Sequence, residues 1–294
     1  MSERAAGSIY DLGYHRYDGP RLGRRYAVRV LWQHRLRACF GVGRPMSAKV
    51  FPIVLVVIAF LPAVVQLGIG AIGSESADII KPQNYYSFVE VVLALFCAAV
   101  APELVSRDQR DGTLTLYFSR ALERTDYALA NFAALVTAML VMTLGPQTML
   151  FIGNGLVVSD PASYLQDEWK QVPEIIASAF LLSVMIAGIG VAIASYTPRR
   201  AYSTVAILAV FVLGSAIGAT LLSVSDQGIA RYSLMISPFH VTRGLTMWIF
   251  AASAPPGSQL GKADIWGGTY ALEAAIVALV TLAVFVRRCL RLVT

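Results

Sequence analysis

Two carboxylates in this chain lie well inside long apolar runs, away from their ends, where a charge is costly. Glu90 lies in the run 84–104, and Glu273 lies in the run 266–288. A carboxylate at membrane depth marks a substrate or ion pathway by default, or else a structural partner on a neighbouring helix. Arg243, between the last two apolar runs, is a candidate partner. These three residues are therefore candidates for a transport pathway, with a structural hydrogen bond between helices as the alternative.

A second group of charges lies in the segment 101–120, APELVSRDQRDGTLTLYFSR, between two apolar runs. We interpret this segment as a docking site for a partner protein. Its apolar residues would fill a groove on the partner, and its charges would set register by complementarity. The alternative is that the apolar residues pack against the bases of the chain's own helices. The candidate residues are Arg107, Asp108, Arg110, Asp111, Leu114, Leu116, Tyr117, Phe118 and Arg120.

Motifs for enzymatic chemistry are missing from the sequence, which contains no HExxH, GxSxG or CxxC. The stretch PPGSQLGKA at 255–263 is only superficially like a phosphate-binding loop. Three residues rather than four separate Gly257 from Gly261, and Ala263 replaces the Ser or Thr that binds Mg²⁺. The three cysteines and three histidines are scattered, without metal-ligand spacing. We therefore predict that this chain is not an enzyme and binds no cofactor or metal of its own.

The composition indicates a membrane protein. Of the 294 residues, 56% are hydrophobic and 14% are charged, whereas an ordinary soluble domain carries about 25% charged residues. Several apolar runs of about 20 residues favour a polytopic helical protein over a soluble two-domain one. The net charge of +6 does not indicate a nucleic-acid partner, because the basic residues lie beside the apolar runs.

We predict an all-α protein with six transmembrane helices. Their ranges are about 48–73, 84–104, 127–157, 172–195, 201–224 and 266–288. The residues before the first run lack the apolar core of a cleavable signal, so that run is expected to stay in the membrane. With both termini in the cytoplasm, 19 of the 24 Lys and Arg residues lie on the cytoplasmic side. This asymmetry predicts cytoplasmic termini.

Two further segments are predicted to be helical without crossing the membrane. Residues 24–40 have basic side chains on one helical line and apolar ones, including Trp32, on an adjacent line. They are expected to lie in the cytoplasmic membrane interface, the alternative being a soluble helix that packs on a partner. Residues 225–265 contain apolar pieces, broken by Pro238 and Gly244, that suit re-entrant or interfacial helices on the outer side.

A GxxxG motif in the fifth span, Gly214 and Gly218, allows another helix or segment to approach closely. We consider these glycines candidates for a dimer interface. Packing within the chain is an equally good explanation.

The segment between the second and third spans resembles that of permease subunits of ABC-2 type transporters. In that family, charged residues are commonly followed by Gly-Thr-Leu, then SRPLSR and a polar position that opens span three. Here 112–114 reads GTL and 119–122 reads SRAL. Ala121 replaces a common Pro, and residues 130–131 read AN where GK is frequent. Four further expected features agree with the family: six spans, cytoplasmic termini, an N-terminal amphipathic helix and outer re-entrant helices. The resemblance therefore covers almost the whole chain.

The resemblance implies the transmembrane permease subunit of an ATP-driven exporter in a bacterial plasma membrane. Residues 1–47 would form a cytoplasmic leader with the interfacial helix, and 48–294 the six-span permease domain. Such permeases dimerise, here as a homodimer, and dock two copies of a separate ATPase through the short coupling helix after span two. ATP and Mg²⁺ would bind the ATPase. The alternatives are a membrane anchor or assembly component driven by an ATPase and, less favoured because the two halves show no clear repeat, a secondary transporter.

Overall fold

The computed structural model describes residues 19, 22–43, 45–73, 81–118, 122–157, 161–224, 228–255 and 257–291. All regular structure within these ranges is helical. The helices are α1 (Arg24–Cys39), α2 (Met46–Gly73), α3 (Pro82–Leu104), α4 (Ser106–Arg110), α5 (Leu114–Phe118), α6 (Arg124–Val157), α7 (Pro161–Glu168), α8 (Gln171–Tyr196), α9 (Arg200–Val224), the 3-10 helix Gly228–Ile236, α10 (Pro238–Ile249), α11 (Gln259–Ala263) and α12 (Gly267–Arg291). Most of the leader at 1–23 lies outside the described residues.

Six of these helices, α2, α3, α6, α8, α9 and α12, are long and apolar enough to cross a membrane. The all-helical class and the six apolar spans are therefore confirmed, and the chain has the character of a multi-pass membrane protein. The longest, α6, has 34 residues and continues through Pro146. At about 1.5 Å per residue it is about 51 Å long, so it exceeds a hydrocarbon core of about 30 Å.

Helices α3 and α8 form the centre of the bundle. They pack on each other and on α9, and α8 also packs on α6 and α12. More than half of the residues in the apolar parts of α3, α6 and α8 are buried, whereas fewer than a third are buried in those of α2, α9 and α12. Large apolar side chains on the peripheral helices, such as Val57, Leu213 and Leu279, are exposed. Apolar faces of this kind are expected to contact the lipid chains of a membrane, or a second protein chain within it.

The two ends of the bundle differ in charge. One end, called here the basic end, contains the C-termini of α3, α8 and α12 and the N-termini of α6 and α9. Helix α1 packs along α6 at this end, where Arg24 donates to Asp126 at 2.7 Å and Arg200 pairs with Glu103 at 3.1 Å. The opposite end, called the far end, contains the C-termini of α2 and α6 and the N-termini of α3 and α8.

Helix α10 lies within the bundle and contacts α3, α8, α9 and α12. It begins where the sequence predicted a break, because Ser237 caps the His240 amide at 3.3 Å and Pro238 occupies the first turn. The predicted break at Gly244 is wrong, since α10 continues through it to Ile249. Gly244 instead admits the ring of Tyr270, whose Cδ1 would be 2.9 Å from a Cβ at that position.

Gly214 and Gly218 contact the segment that precedes α10. A Cβ on Gly214 would be 2.8 Å from the Ile236 carbonyl oxygen, and one on Gly218 would be 2.8 Å from the Ser233 carbonyl oxygen. The Ser233 hydroxyl also donates to the Gly218 carbonyl at 2.9 Å. Both glycines are buried within the chain. Close approach within the chain is therefore their role in this structure, which was the second of the two explanations considered from sequence.

Replacing Gly218 with alanine is expected to destabilise the protein by about 1–3 kcal/mol, because the added methyl group meets a backbone oxygen that has little freedom to move. Thermal unfolding of the reconstituted chain measures this effect. The matched control is Gly68→Ala in α2, where a Cβ meets nothing within 4 Å and helix propensity favours alanine. An unchanged melting temperature for Gly218→Ala, together with loss of a dimer, would instead assign the motif to an interface between chains.

Candidate functional site at the basic end

The centre of the site is a buried ion pair between α1 and α4. Arg35 and Asp108 have side chains only 6% and 10% exposed, and Arg35 Nη2 pairs with Asp108 Oδ2. Arg35 Nη1 also donates to Asp108 Oδ1 at 3.4 Å. From the start of α6, the Tyr127 hydroxyl donates to Asp108 Oδ2 at 2.7 Å. One carboxylate therefore ties together three helices that are far apart in sequence.

Aromatic rings enclose the guanidinium group of this pair. The Cζ atom of Arg35 lies 5.3 Å from the ring centroid of Tyr117 in α5 and 5.6 Å from that of Tyr127. Cation–π contacts of this kind are attractive, more so where water is excluded. Burial opposes the charged form of Arg35, but Tyr127, Asp108 and Tyr117 together raise its pKa above the ordinary value. Arg35 therefore remains a cation, and it links α5 to the same cluster.

Arg107 and Arg110 lie on the outer surface of α4, and Asp111 follows directly after the helix. Arg107 and Arg110 have side chains 49% and 60% exposed. Arg107 pairs with Glu103 at 2.9 Å, and Arg110 Nε donates to Asp111 Oδ1 at 3.0 Å. The hydrogen bond from Arg110 lowers the pKa of Asp111. This surface therefore presents cations and an anion side by side.

A sharp turn separates α4 from α5. Gly112 has φ +65°, a left-handed conformation that other residues adopt at a cost. The Thr113 amide donates to the Asp108 carbonyl at 3.2 Å, which returns the chain to the bundle. This geometry explains the Asp-Gly-Thr sequence at 111–113. The short second helix starts directly after it.

Three apolar side chains of α5, those of Leu114, Tyr117 and Phe118, face the chain's own helices. Leu114 is buried. The rings of Tyr117 and Phe118 are half-buried, with centroids 5.7 Å and 6.0 Å from that of Tyr127. The side chain of Leu116, and Arg120 as a whole, lie outside the described residues. Tyr117 and Phe118 therefore pack against the base of α6, which was the second of the two explanations, and the exposed charges of this segment are Arg107, Arg110 and Asp111.

Glu90 and Arg243, two of the pathway candidates, are in contact. Arg243 Nε in α10 donates to Glu90 Oε1 in α3 at 2.8 Å, and the Thr242 hydroxyl donates to Oε2 at 3.3 Å. The Glu90 side chain is 1% exposed, whereas that of Arg243 is 38% exposed. The buried carboxylate of Glu90 is therefore paired with an arginine whose side chain remains partly exposed. The pair fixes α10 to the central helix α3.

Glu273, the third candidate, takes no part in this pair within the described residues. It lines a separate cleft of about 320 Å³ between α8, α10 and α12, beside Met185, Val241 and Thr281. Its Oε2 atom is buried without a hydrogen-bond partner among those residues. The structure therefore divides the three candidates into one ion pair and one isolated acid.

Arg35 and Tyr127 are the residues of this site that sequence analysis missed. A signal for Arg35 does exist, because it lies four residues after Leu31 and four before Cys39, both buried. A single arginine on an apolar line of a helix indicates a buried partner. The basic line Arg25, Arg29 and Arg37, which sequence analysis emphasised instead, is exposed.

Potential metal ligands do not cluster, since no group of three or more His, Cys, Asp or Glu side chains suited to a metal occurs in the part of the chain that the structure describes. Comparison with protein-family models finds no match for this chain, and a search of curated proteins likewise finds none.

Proposed function

We propose that this chain is the membrane-spanning permease subunit of an ATP-driven exporter of the ABC-2 type. In this proposal it is a homodimer in a bacterial plasma membrane, with the basic end and both termini in the cytoplasm. Two copies of a separate ATPase dock at the basic end and supply the energy. The observation that carries the proposal is the rigid attachment of α4 and α5 to the bundle, with Arg107 and Arg110 of α4 exposed.

Rigid attachment matters because a docking element transmits motion only if it moves with the helices behind it. Gln109 Nε2 donates to the Ser195 carbonyl at 3.0 Å, and the Ser106 hydroxyl donates to the Ala194 carbonyl at 2.9 Å. These bonds join α4 to the end of α8, while Arg35 and Tyr127 join it to α1 and α6. A displacement of α4 therefore displaces the ends of four other helices, α1, α3, α6 and α8.

The surface of this end suits a protein partner. The alternating charges of Arg107, Arg110 and Asp111 favour a specific register over simple attraction to anions. Beside them, a cleft of about 530 Å³ between α1 and α5 is lined by apolar and aromatic side chains, including Val30 and Tyr117. An apolar side chain of the ATPase would fill this cleft while the charges set its orientation. In this proposal, Glu90, Arg243 and Glu273 remain the candidates for the transport pathway.

Reversing both exposed arginines, as R107E/R110E, is expected to reduce ATPase recovery at least tenfold when the tagged chain is purified from its native membrane. Each new glutamate would face an ATPase anion that the arginine attracts in this proposal. Like charges placed opposite each other across an interface cost several kcal/mol. The measurement is the amount of ATPase that co-purifies, together with ATP hydrolysis by the reconstituted complex. Membrane insertion of the variant should be unchanged because both side chains are exposed.

The control is the double reversal K170E/K262E, whose two side chains are also exposed but belong to segments at the far end. It should retain the ATPase. Recovery of no nucleotide-hydrolysing protein with the wild-type chain would contradict the proposal, as would full recovery with R107E/R110E. ATP-dependent flux into inverted vesicles separates an exporter from an assembly component, because only the exporter moves a solute.

A further inference from the structure

A polar cleft opens at the far end, away from the proposed ATPase surface. It encloses about 480 Å³ between α2, α3, α6, α7 and α8. Five of the fourteen residues that line it carry carboxamides: Gln66, Gln83, Gln147, Asn154 and Gln171. Amide groups both donate and accept hydrogen bonds. The volume falls in the range of clefts that hold small molecules, about 300–1,000 Å³.

Two of these amides lie at the buried end of the cleft. Gln147 is buried, and its Nε2 donates to the Pro82 carbonyl at 3.2 Å. Gln66 is only 3% exposed, yet its Oε1 has no hydrogen-bond partner among the described residues. Buried polar atoms in folded proteins are nearly always paired, because an unpaired acceptor loses its hydration without compensation. Gln66 therefore offers an acceptor to a group that enters the cleft and carries a donor.

The charges of the cleft lie nearer its mouth. Glu168 and Glu174 are half-buried and Lys81 is exposed, and Glu168 accepts a hydrogen bond from Gln171. A cationic ligand would require a carboxylate at the buried end, because burying an unpaired charge is costly. Neutral amides stand there instead. The lining therefore suits a neutral ligand with several hydrogen-bonding groups.

Aromatic and aliphatic side chains complete the lining. Phe151 and Tyr164 lie with ring centroids 5.7 Å apart, and both line the cleft. Leu150 and Ile175, both buried, also line it. A saccharide ring combines many hydroxyl groups with apolar C–H faces, so it matches both parts of this surface.

We propose that the far-end cleft binds a neutral polyhydroxylated group, such as a sugar, with one hydroxyl donating to Gln66 Oε1. The group is either the head of a glycolipid in the adjacent leaflet or a free saccharide. Both sources share the same chemistry. The proposal rests on the cleft alone and does not require the ATPase at the basic end.

The experiment uses the full chain, purified in a detergent without a sugar head group and placed in nanodiscs. One arm contains a glucosyl diacylglycerol in the bilayer, and its retention is measured by native mass spectrometry. The other arm adds maltose in solution, and its binding is measured by calorimetry. A third arm adds tetramethylammonium. Binding in the first arm alone identifies a lipid head group, and binding in the second identifies a free saccharide.

Gln66→Leu is expected to weaken binding of the glycosyl probe by roughly tenfold, because the ligand hydroxyl loses its buried acceptor. The melting temperature of the free protein should not fall, since leucine replaces an unpartnered polar group. The matched control is Gln109→Leu, which removes an amide bonded to Ser195 at the basic end. That control should lower the melting temperature and leave binding unchanged.

Absence of binding by both glycosyl probes would overturn the proposal, as would binding of tetramethylammonium alone. Unchanged binding by Gln66→Leu would also overturn it. A fall in melting temperature for Gln66→Leu comparable with that of Gln109→Leu would show that the Gln66 amide serves the fold, and would overturn it too. If Gln66→Leu fails to fold, Asn154→Ala at the half-buried part of the lining must weaken binding.

Discussion

Replacing Asp108 with leucine is expected to destabilise the protein by about 3–5 kcal/mol, because the Arg35 guanidinium is left buried without its carboxylate. The loss of stability should begin at the contact between α1 and α4, because Arg35 and Asp108 join these two helices. Thermal unfolding of the reconstituted chain measures the free energy. Hydrogen exchange of the backbone amides in α1 reports the loosening of the contact.

The double variant R35M/D108L is expected to recover most of this loss. Replacing a buried ion pair by apolar residues is often nearly neutral, whereas removing one partner leaves a charge without compensation. The Tyr127 hydroxyl loses its acceptor in both Asp108 variants, so the difference between them reports Arg35. An equal loss of unfolding free energy in D108L and R35M/D108L would show that the unpaired Arg35 charge is not the cause of the loss.

An exposed ion pair at the same end provides the matched control. Arg24, whose side chain is 49% exposed, contacts Glu123 and Asp126. Arg24→Met should change stability far less than Asp108→Leu does, because water screens such pairs. If Asp108→Leu is as mild as Arg24→Met, the buried cluster does not hold α1 and α4 in place.

Arg243→Leu is the second substitution with a large expected effect, again about 3–5 kcal/mol. Among the described residues, it leaves the carboxylate of Glu90, which is 1% exposed, with the Thr242 hydroxyl as its one remaining side-chain donor. The variant E90Q/R243L should regain part of this stability, because a neutral amide tolerates burial better than an unpaired carboxylate. Thermal unfolding compares the two, and hydrogen exchange in α10 shows whether this helix separates from α3.

Lys262→Leu is the control for this pair, since Lys262 is an exposed cation in α11. Its effect should be within about 0.5 kcal/mol of the wild type. Equal stability of R243L and K262L would mean that Arg243 is not the partner that makes the buried Glu90 tolerable.

The helices of this bundle could be predicted because their signals are local. An apolar run of about 20 residues identifies a membrane helix by itself, and the second span was predicted at 84–104 where α3 covers Pro82–Leu104. Pro238, where a break was predicted, likewise marks a helix start through its own backbone preference. Gly244 misled the prediction, because its role is to admit a ring from α12.

The contacts within the sites could not be predicted, because they depend on how each helix is rotated. Asp108 and Arg110 lie two residues apart in the same charged segment. Asp108 is nevertheless buried against Arg35, whereas Arg110 is exposed. The same limitation applies to Gly218, whose neighbour is a backbone oxygen 15 residues further along the chain.

The sequence by itself thus determined an all-helical, six-span membrane protein with basic residues gathered beside particular spans. Tertiary structure alone decided which charges pair, as in Glu90 with Arg243, and which polar groups, such as Gln66, line a cleft. The physical reason is the length scale of each effect. Transfer into hydrocarbon depends on a run of adjacent residues, whereas an ion pair depends on two side chains that only packing brings within 3 Å.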